Sequence, residues 1–220
     1  MLAVFDIDGT ICDTQQVEGG CYARTFEEVF GVALDPSDWS RFDEPTSSGI
    51  VRSLMDGEPG LERREREFRD RFVDLLKMAR PEFPGDFRPL PGAREFIRQL
   101  SEAPAHGVAF ATGGFDTEAA FKLDCCGITL AHFPHATSSD RPRRRDIIPL
   151  AVDRAGGTLS EVIYFGDAPW DVEACAELGV AMIGIGRRVA ELRALGLAHT
   201  FRDFSDPGAI LEAIAELGGG

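Results

Sequence analysis

A short apolar run followed by two aspartates at the N-terminus is the feature that most constrains the fold of this chain. Residues 2–5 read Leu-Ala-Val-Phe, and the sequence Asp-Ile-Asp-Gly-Thr follows at residues 6–10. An apolar run without alternation is typical of a strand buried on both faces of a parallel sheet, which presents functional groups at its carboxyl end. Gly9 allows a turn that gathers Asp6 and Asp8 around one point. The pattern indicates a site for a hard cation or for acid/base chemistry, with an ordinary strand-to-loop turn as the alternative.

The same arrangement recurs at two places further along the chain. An apolar run at residues 108–111 leads into Thr112 and two glycines, and another at residues 162–165 leads into Gly-Asp-Ala-Pro-Trp-Asp at residues 166–171. If the three runs are parallel neighbours, their carboxyl ends meet at one edge of the sheet. Such a sheet brings together Asp6, Asp8, Thr112, Asp167 and Asp171. Four carboxylates at one point need a cation.

The ordered set of motifs resembles the haloacid dehalogenase (HAD) superfamily. An Asp-x-Asp-Gly-Thr motif after the first strand is followed by a strand that ends in threonine, by a basic residue and by Gly-Asp-x-x-x-Asp. The resemblance covers residues 1–13 and about 89–185. Within this superfamily the chain is similar to the phosphoglycolate phosphatase-like and β-phosphoglucomutase-like branch, whose members carry an inserted helical cap of the C1 type.

Alternating strands and helices predict an α/β fold with a doubly wound, Rossmann-like parallel sheet. Residues 14–88 interrupt this alternation with helical patterns, and the proline-rich segment 80–91 returns the chain to the sheet. The charged stripe of the helix predicted at residues 61–79 is expected to be a solvated face. We therefore expect a core domain of residues 1–13 and 89–220 with an inserted all-helical cap domain of residues 14–88, which the resemblance identifies as the C1 type.

The resemblance implies a role for each acidic motif residue. Asp6 would be the nucleophile that forms an aspartyl-phosphate, and Asp8 would protonate the leaving oxygen and then activate water. Mg2+ would be held by Asp6, the Asp8 backbone carbonyl and Asp167. Asp171 would support this site by orienting metal-bound water or the basic residue.

Phosphate binding is expected to involve Thr112, the Gly113 amide and one basic residue. The family commonly has a lysine followed by a proline, whereas residues 141–145 of this chain read Arg-Pro-Arg-Arg-Arg. Arg141 imitates the Lys-Pro pair, but Arg144 lies three residues before the apolar stripe of the following helix. This register favours Arg144 over Arg141.

Four functions compete on these motifs. The leading hypothesis is a Mg2+-dependent phosphatase acting on a small phosphomonoester, and the alternative is a phosphomutase of the β-phosphoglucomutase type. A 2-haloacid dehalogenase would need neither Mg2+ nor the second carboxylate of the motif, so Asp8 and Asp167 argue against it. A phosphorylated receiver or interaction module would be shorter and would lack the helical insertion. Candidate substrate contacts in the insertion are Glu18, Tyr22, Arg24, Thr46 and Arg52.

Composition excludes other classes of partner. A net charge of -14 and a pI near 4.7 argue against nucleic acid and anionic membranes, and no apolar stretch reaches the roughly 18 residues of a membrane span. Five cysteines without metal-finger spacing predict reduced thiols. We expect a cytoplasmic protein without a signal peptide, monomeric or homodimeric, whose partner is a small phosphorylated metabolite.

Overall fold

A parallel sheet forms the centre of the structure, which is a computed structural model that describes residues 1–37 and 39–218. In chain order the strands are β1 (Leu2–Phe5), β2 (Cys12–Asp13), β3 (Arg88–Pro89), β4 (Gly107–Ala111), β5 (His135–Ala136), β6 (Val162–Gly166), β7 (Ala181–Ile185) and β8 (Thr200–Phe201). Six of them form the parallel sheet in the order β5-β4-β1-β6-β7-β8, whereas β2 pairs antiparallel with β3. The predicted α/β fold class is confirmed.

Helices alternate with these strands or lie in the segment between β2 and β3. They are α1 (Gln15–Phe30), α2 (Ser47–Leu54), α3 (Leu61–Ala79), α4 (Ala93–Glu102), α5 (Asp116–Cys125), α6 (Arg144–Arg154), α7 (Pro169–Leu178), α8 (Val189–Ala194) and α9 (Pro207–Gly218). The Thr46 hydroxyl accepts a hydrogen bond from the Gly49 N–H at 2.9 Å and so caps the start of α2. Gly31, with a φ of 71°, ends α1 in the left-handed conformation.

Strand β1 is buried on both faces, as its unbroken apolar sequence predicts. Ala3 and Phe5 pack in one hydrophobic cluster with α4, α5 and α9. Leu2 and Val4 point to the opposite face and pack with α6 and α7. Because successive side chains of a strand alternate between the two faces, helices cover both sides of the sheet.

The helices α1, α2 and α3 form a third hydrophobic cluster, to which Phe115 before α5 also contributes. Its aromatic members include Tyr22, Phe26 and Phe68, with the Tyr22 and Phe68 ring centroids 4.8 Å apart. The chain enters this helical segment through β2 and leaves it through β3, and the two strands form a short ribbon with Asp13 opposite Arg88. The exact limits of the cap domain, residues 14–88, stay a prediction.

One expectation about this segment is wrong. The charged stripe of α3 is not entirely solvated, because Glu65 is buried. Its carboxylate accepts hydrogen bonds from the Ser48 hydroxyl and from Arg52 Nη2, the latter at 2.9 Å. Helix α2 lies over this part of α3, which a pattern of charges within one helix does not reveal.

The structure records all five cysteines as free thiols. Within residues 1–37 and 39–218, no helix combines the length and the apolar character needed to cross a bilayer.

Candidate active site

Three adjacent strands of the sheet end in residues of the predicted site. Asp6 directly follows β1, Thr112 follows β4 and Asp167 follows β6, and β1 lies between the other two strands. Asp6, Asp167 and Asp171 are buried, and each offers a carboxylate oxygen within 4.8 Å of the other two. The sheet therefore brings these side chains together at its carboxyl edge.

The loop after β1 turns at Gly9, which has a φ of 74°. The Ile7 carbonyl accepts a hydrogen bond from the Cys12 N–H at 2.9 Å and closes the turn. A Cβ atom on Gly186 would approach the Gly9 carbonyl oxygen to 2.5 Å, so the backbone after β7 lies directly against the loop. Asp6 and Asp8 line the same cavity but have different ion-pair partners, because Asp6 contacts Arg144 whereas Asp8 contacts Lys122.

Arg144 is the arginine that reaches the acidic cluster. It is the first residue of α6 and is 6% exposed. Its Nη1 atom lies 3.3 Å from Asp6 Oδ1 and 2.9 Å from Asp171 Oδ1. Arg141 is exposed and donates to the Asp140 carbonyl at 2.9 Å. The helix register thus brings Arg144, and not Arg141, to Asp6.

The guanidinium of Arg144 has capacity left for an anion. Its Nε atom is buried, and the described residues give it no hydrogen-bond partner. A Cβ on Gly113 would approach its Nη2 atom to 2.6 Å, so a larger residue at position 113 would have to displace the guanidinium. Thr112, which directly precedes Gly113, is also buried. A phosphoryl group at this point would satisfy an otherwise unpaired buried donor.

Tyr164 is a member of this cluster that the sequence did not predict. It lies in β6 and is fully buried, and its hydroxyl accepts a hydrogen bond from Arg144 Nη1 at 3.1 Å. The hydroxyl lies 3.1 Å from the Ala111 carbonyl and 3.2 Å from Asp171 Oδ1, the acceptors available for its proton. A tyrosine in an apolar run is the only signal for this role, and aromatic residues are common in strands for packing alone.

The acidic cluster suits a divalent cation. Burial raises the pKa of Asp6 to about 7, Arg144 opposes this rise, and the charges of Asp171 and Asp8 add to it. A cation beside Asp6 and Asp167 would supply the stabilisation that burial removes from the ionised carboxyl. Asp171 fits a supporting role, because its Oδ1 pairs with Arg144 and its Oδ2 accepts from the backbone N–H of Ala168 at the start of α7.

Asp8 lies in a second cluster built around Lys122. The Lys122 ammonium on α5 lies 2.7 Å from Asp8 Oδ1, 3.0 Å from Glu18 Oε1 and 2.6 Å from Glu118 Oε1. The Thr14 hydroxyl also donates to Asp8 Oδ1. The sequence signal for Lys122 is its spacing from Glu118, which is equally typical of a surface pair one helical turn apart.

A cavity of about 290 Å³ connects the carboxyl edge of the sheet with the helical segment. Its core side includes Asp6, Asp8, Thr112, Gly113, Arg144 and Asp167, and its helical side includes Glu18, Tyr22, Trp39, Thr46 and Ile50. Of the expected substrate contacts, Arg24 and Arg52 do not line it. Arg24 pairs with Glu28 at 2.8 Å, and Arg52 pairs with Glu65 at 2.9 Å.

Comparison with known proteins agrees with this geometry. A family model described as haloacid dehalogenase-like hydrolase matches residues 1–179. A phosphoglycolate phosphatase of Agrobacterium fabrum is 28% identical over an alignment of 196 residues that covers 84% of this chain and 79% of that protein.

Solved structures share the fold at low identity. CbbY from Rhodobacter sphaeroides in complex with phosphate has a TM-score of 0.73 at 19% identity, covering 94% of this chain and 96% of that one. A β-phosphoglucomutase from Clostridium difficile has a TM-score of 0.70 at 16% identity, covering 99% and 96%. These likenesses support the architecture, and the family model, which spans most of the chain, confirms the predicted family. The chain belongs to the haloacid dehalogenase-like hydrolases.

Proposed function

We propose that the protein is a Mg2+-dependent phosphatase that hydrolyses a small phosphomonoester through an aspartyl-phosphate on Asp6. The observation that carries the proposal is the buried contact of Asp6 with Arg144, whose Nε atom has no partner among the described residues. A carboxylate nucleophile beside a cation that can neutralise a phosphoryl group is what this reaction requires. The relative named phosphoglycolate phosphatase supports a phosphomonoester as the substrate.

The reaction takes two steps on the residues of the cavity. A carboxylate oxygen of Asp6 attacks phosphorus, the ester P–O bond breaks, and the leaving oxygen takes a proton from Asp8. Asp8 then removes a proton from the water that attacks the aspartyl-phosphate, which releases phosphate and regenerates Asp6. Throughout, Arg144, Thr112 and the Gly113 amide hold the phosphoryl oxygens.

Mg2+ would be held by Asp6, Asp167 and the backbone carbonyl of Asp8, and it would neutralise charge on the transferring phosphoryl group. Asp171 keeps Arg144 in place through their 2.9 Å ion pair. These assignments make Asp171 a residue that orients its neighbours and Asp6 the residue that reacts.

Residues 14–88 are proposed to act as a cap that excludes water and opens to release product. The Ser47 N–H at the start of α2 donates to the Gly113 carbonyl at 2.7 Å, so the helical segment touches the phosphate-binding loop directly. The proposed hinges lie near residues 13–14 and 87–91, where the chain crosses between the two parts. Superimposable cap positions with and without a bound phosphate analogue would argue against this motion.

A panel of phosphorylated metabolites, assayed for phosphate release with Mg2+ and with EDTA, tests the proposal. We expect Mg2+-dependent release from a small phosphomonoester. Isomerisation of a sugar phosphate without net phosphate release would instead favour the phosphomutase. Asp6→Asn should keep the fold and lower turnover by about four orders of magnitude. A labelled phosphoryl group trapped on a residue other than Asp6 would contradict the mechanism.

A further inference from the structure

Lys122 is a fully buried charged residue that the two steps above do not use. A buried ammonium is costly unless it is paired and hydrogen-bonded. Lys122 has three carboxylate partners, at 2.6, 2.7 and 3.0 Å. The three acidic side chains lie close enough to resemble a cation site, but the ammonium already occupies the space between them.

The three partners come from three different parts of the fold. Glu118 belongs to the same helix as Lys122, Asp8 belongs to the loop after β1, and Glu18 lies in the first turn of α1 in the helical segment. Glu118 is itself fixed, since its Oε2 atom accepts hydrogen bonds from the Phe115 N–H at 2.9 Å and the Ser47 hydroxyl at 3.1 Å. Lys122 is therefore held from its own helix and reaches outward to the other two carboxylates.

Lys122 contacts one of the two carboxylate oxygens of Asp8. Lys122 Nζ meets the Oδ1 atom of Asp8, and so does the Thr14 hydroxyl. The carboxylate also lines the cavity, where Oδ2 is the oxygen left to meet a substrate. Lys122 is not among the residues that line the cavity, so it acts on the reaction only through another side chain.

We propose that Lys122 is a positioning residue that holds Asp8 in the orientation needed to protonate the leaving oxygen. The inference rests on the proposed phosphatase function. Because Glu18 shares the same ammonium, this orientation is complete only when α1 lies against α5. Lys122 thereby couples the orientation of the Asp8 carboxylate to the closed position of the helical segment.

The leaving group of the substrate separates this role from a merely structural one. An alkoxide must be protonated as it leaves, whereas p-nitrophenolate leaves readily without a proton. Loss of Asp8 alignment should therefore slow the first turnover of an alkyl phosphate much more than that of p-nitrophenyl phosphate. General damage to the fold would slow both substrates alike.

The experiment compares Lys122→Met with the wild type in single-turnover measurements with Mg2+. We expect the rate for the best alkyl phosphate of the panel to fall about 100-fold, within the usual range of general acid catalysis, and p-nitrophenolate release to fall less than about fivefold. The control Arg52→Met breaks the 2.9 Å ion pair with Glu65 in the helical segment and should change both rates by the same factor.

Three outcomes decide the matter. Equal losses on both substrates in Lys122→Met would overturn the proposal. If that variant does not fold, Lys122→Met combined with Glu118→Gln removes one charge of each sign and must show the same selective loss. Absence of turnover by the wild type on every phosphomonoester would contradict the proposed function instead. A crystal structure of the variant would then decide the role of Lys122, because an unmoved Asp8 carboxylate would refute positioning.

Discussion

Replacing the nucleophile with asparagine is expected to stabilise the metal-free protein at neutral and basic pH. Asp6 is 3% exposed, and burial is the largest cause that raises its pKa from 3.8 to about 7. The ionised carboxylate is therefore less favourable in the folded state than in the unfolded state. The asparagine side chain of Asp6→Asn has a similar shape, keeps a carbonyl oxygen that can accept from Arg144, and carries no charge to bury.

The size and the pH range follow from the pKa difference. Below pH 3.8 the Asp6 carboxyl is protonated in the folded and the unfolded state, so it does not make stability depend on pH. Above about pH 7 it is ionised in both states. Between these values the folded state binds more protons, so stability falls as the pH rises. At about 1.4 kcal/mol for each pKa unit, the full effect has an upper limit of about 4 kcal/mol.

Urea unfolding in EDTA at pH 5 and pH 8 measures this difference. Relative to the wild type, Asp6→Asn should gain about 2–3 kcal/mol of stability between pH 5 and pH 8, and at pH 8 the variant should be the more stable by up to about 4 kcal/mol. Mg2+ should reduce this difference in stability between the variant and the wild type, because it binds the folded wild type. Glu173→Gln, at an exposed carboxylate of α7, should change stability by less than about 0.5 kcal/mol. A variant that is less stable than wild type at pH 8 in EDTA would refute the argument.

Three further predictions concern the same site. Chelation with EDTA should abolish phosphate release and added Mg2+ should restore it, so full turnover after exhaustive chelation would contradict a metal enzyme. Arg144→Ala should lower kcat/KM by about 100-fold or more at any salt concentration, whereas Arg141→Ala should have a mild, salt-sensitive effect; the reverse order would show the wrong register. Tyr164→Phe should lower the free energy of unfolding by about 2–3 kcal/mol, because the buried Arg144 guanidinium loses the Tyr164 hydroxyl as a hydrogen-bond partner. Tyr22→Phe, which loses a hydrogen bond to the Ser47 carbonyl, should cost about 1 kcal/mol, and equal losses in urea unfolding would contradict this reasoning.

The carboxyl edge of the sheet was predictable because its signals are local. Asp6, Thr112 and Asp167 each directly follow a short apolar run, and parallel strands place such positions side by side. Arg144 was predictable for a related reason, since the register of one helix fixes which arginine faces the sheet. In both cases a few adjacent residues determine where a side chain points.

The surroundings of Asp8 were not predictable in the same way. Glu118 and Lys122 are spaced like a solvent-exposed pair, and their burial depends on how α1 and α2 lie over α5. The burial of Glu65 was not predictable for the same reason, because its partner Arg52 belongs to another helix. These contacts join residues from separate elements, and the spacing within one element carries no information about them.

The ribbon of β2 and β3 places the helical segment at a point where the rest of the chain would need only a turn. Asp13 and Arg88 are directly opposed, so the two ends of the segment lie as close as the two arms of a β-hairpin. A two-residue Asn-Gly turn from Asp13 to Arg88 would close that hairpin without moving either strand. We therefore expect the sheet with its flanking helices to fold as a shorter protein, with Phe115 uncovered where α3 had packed.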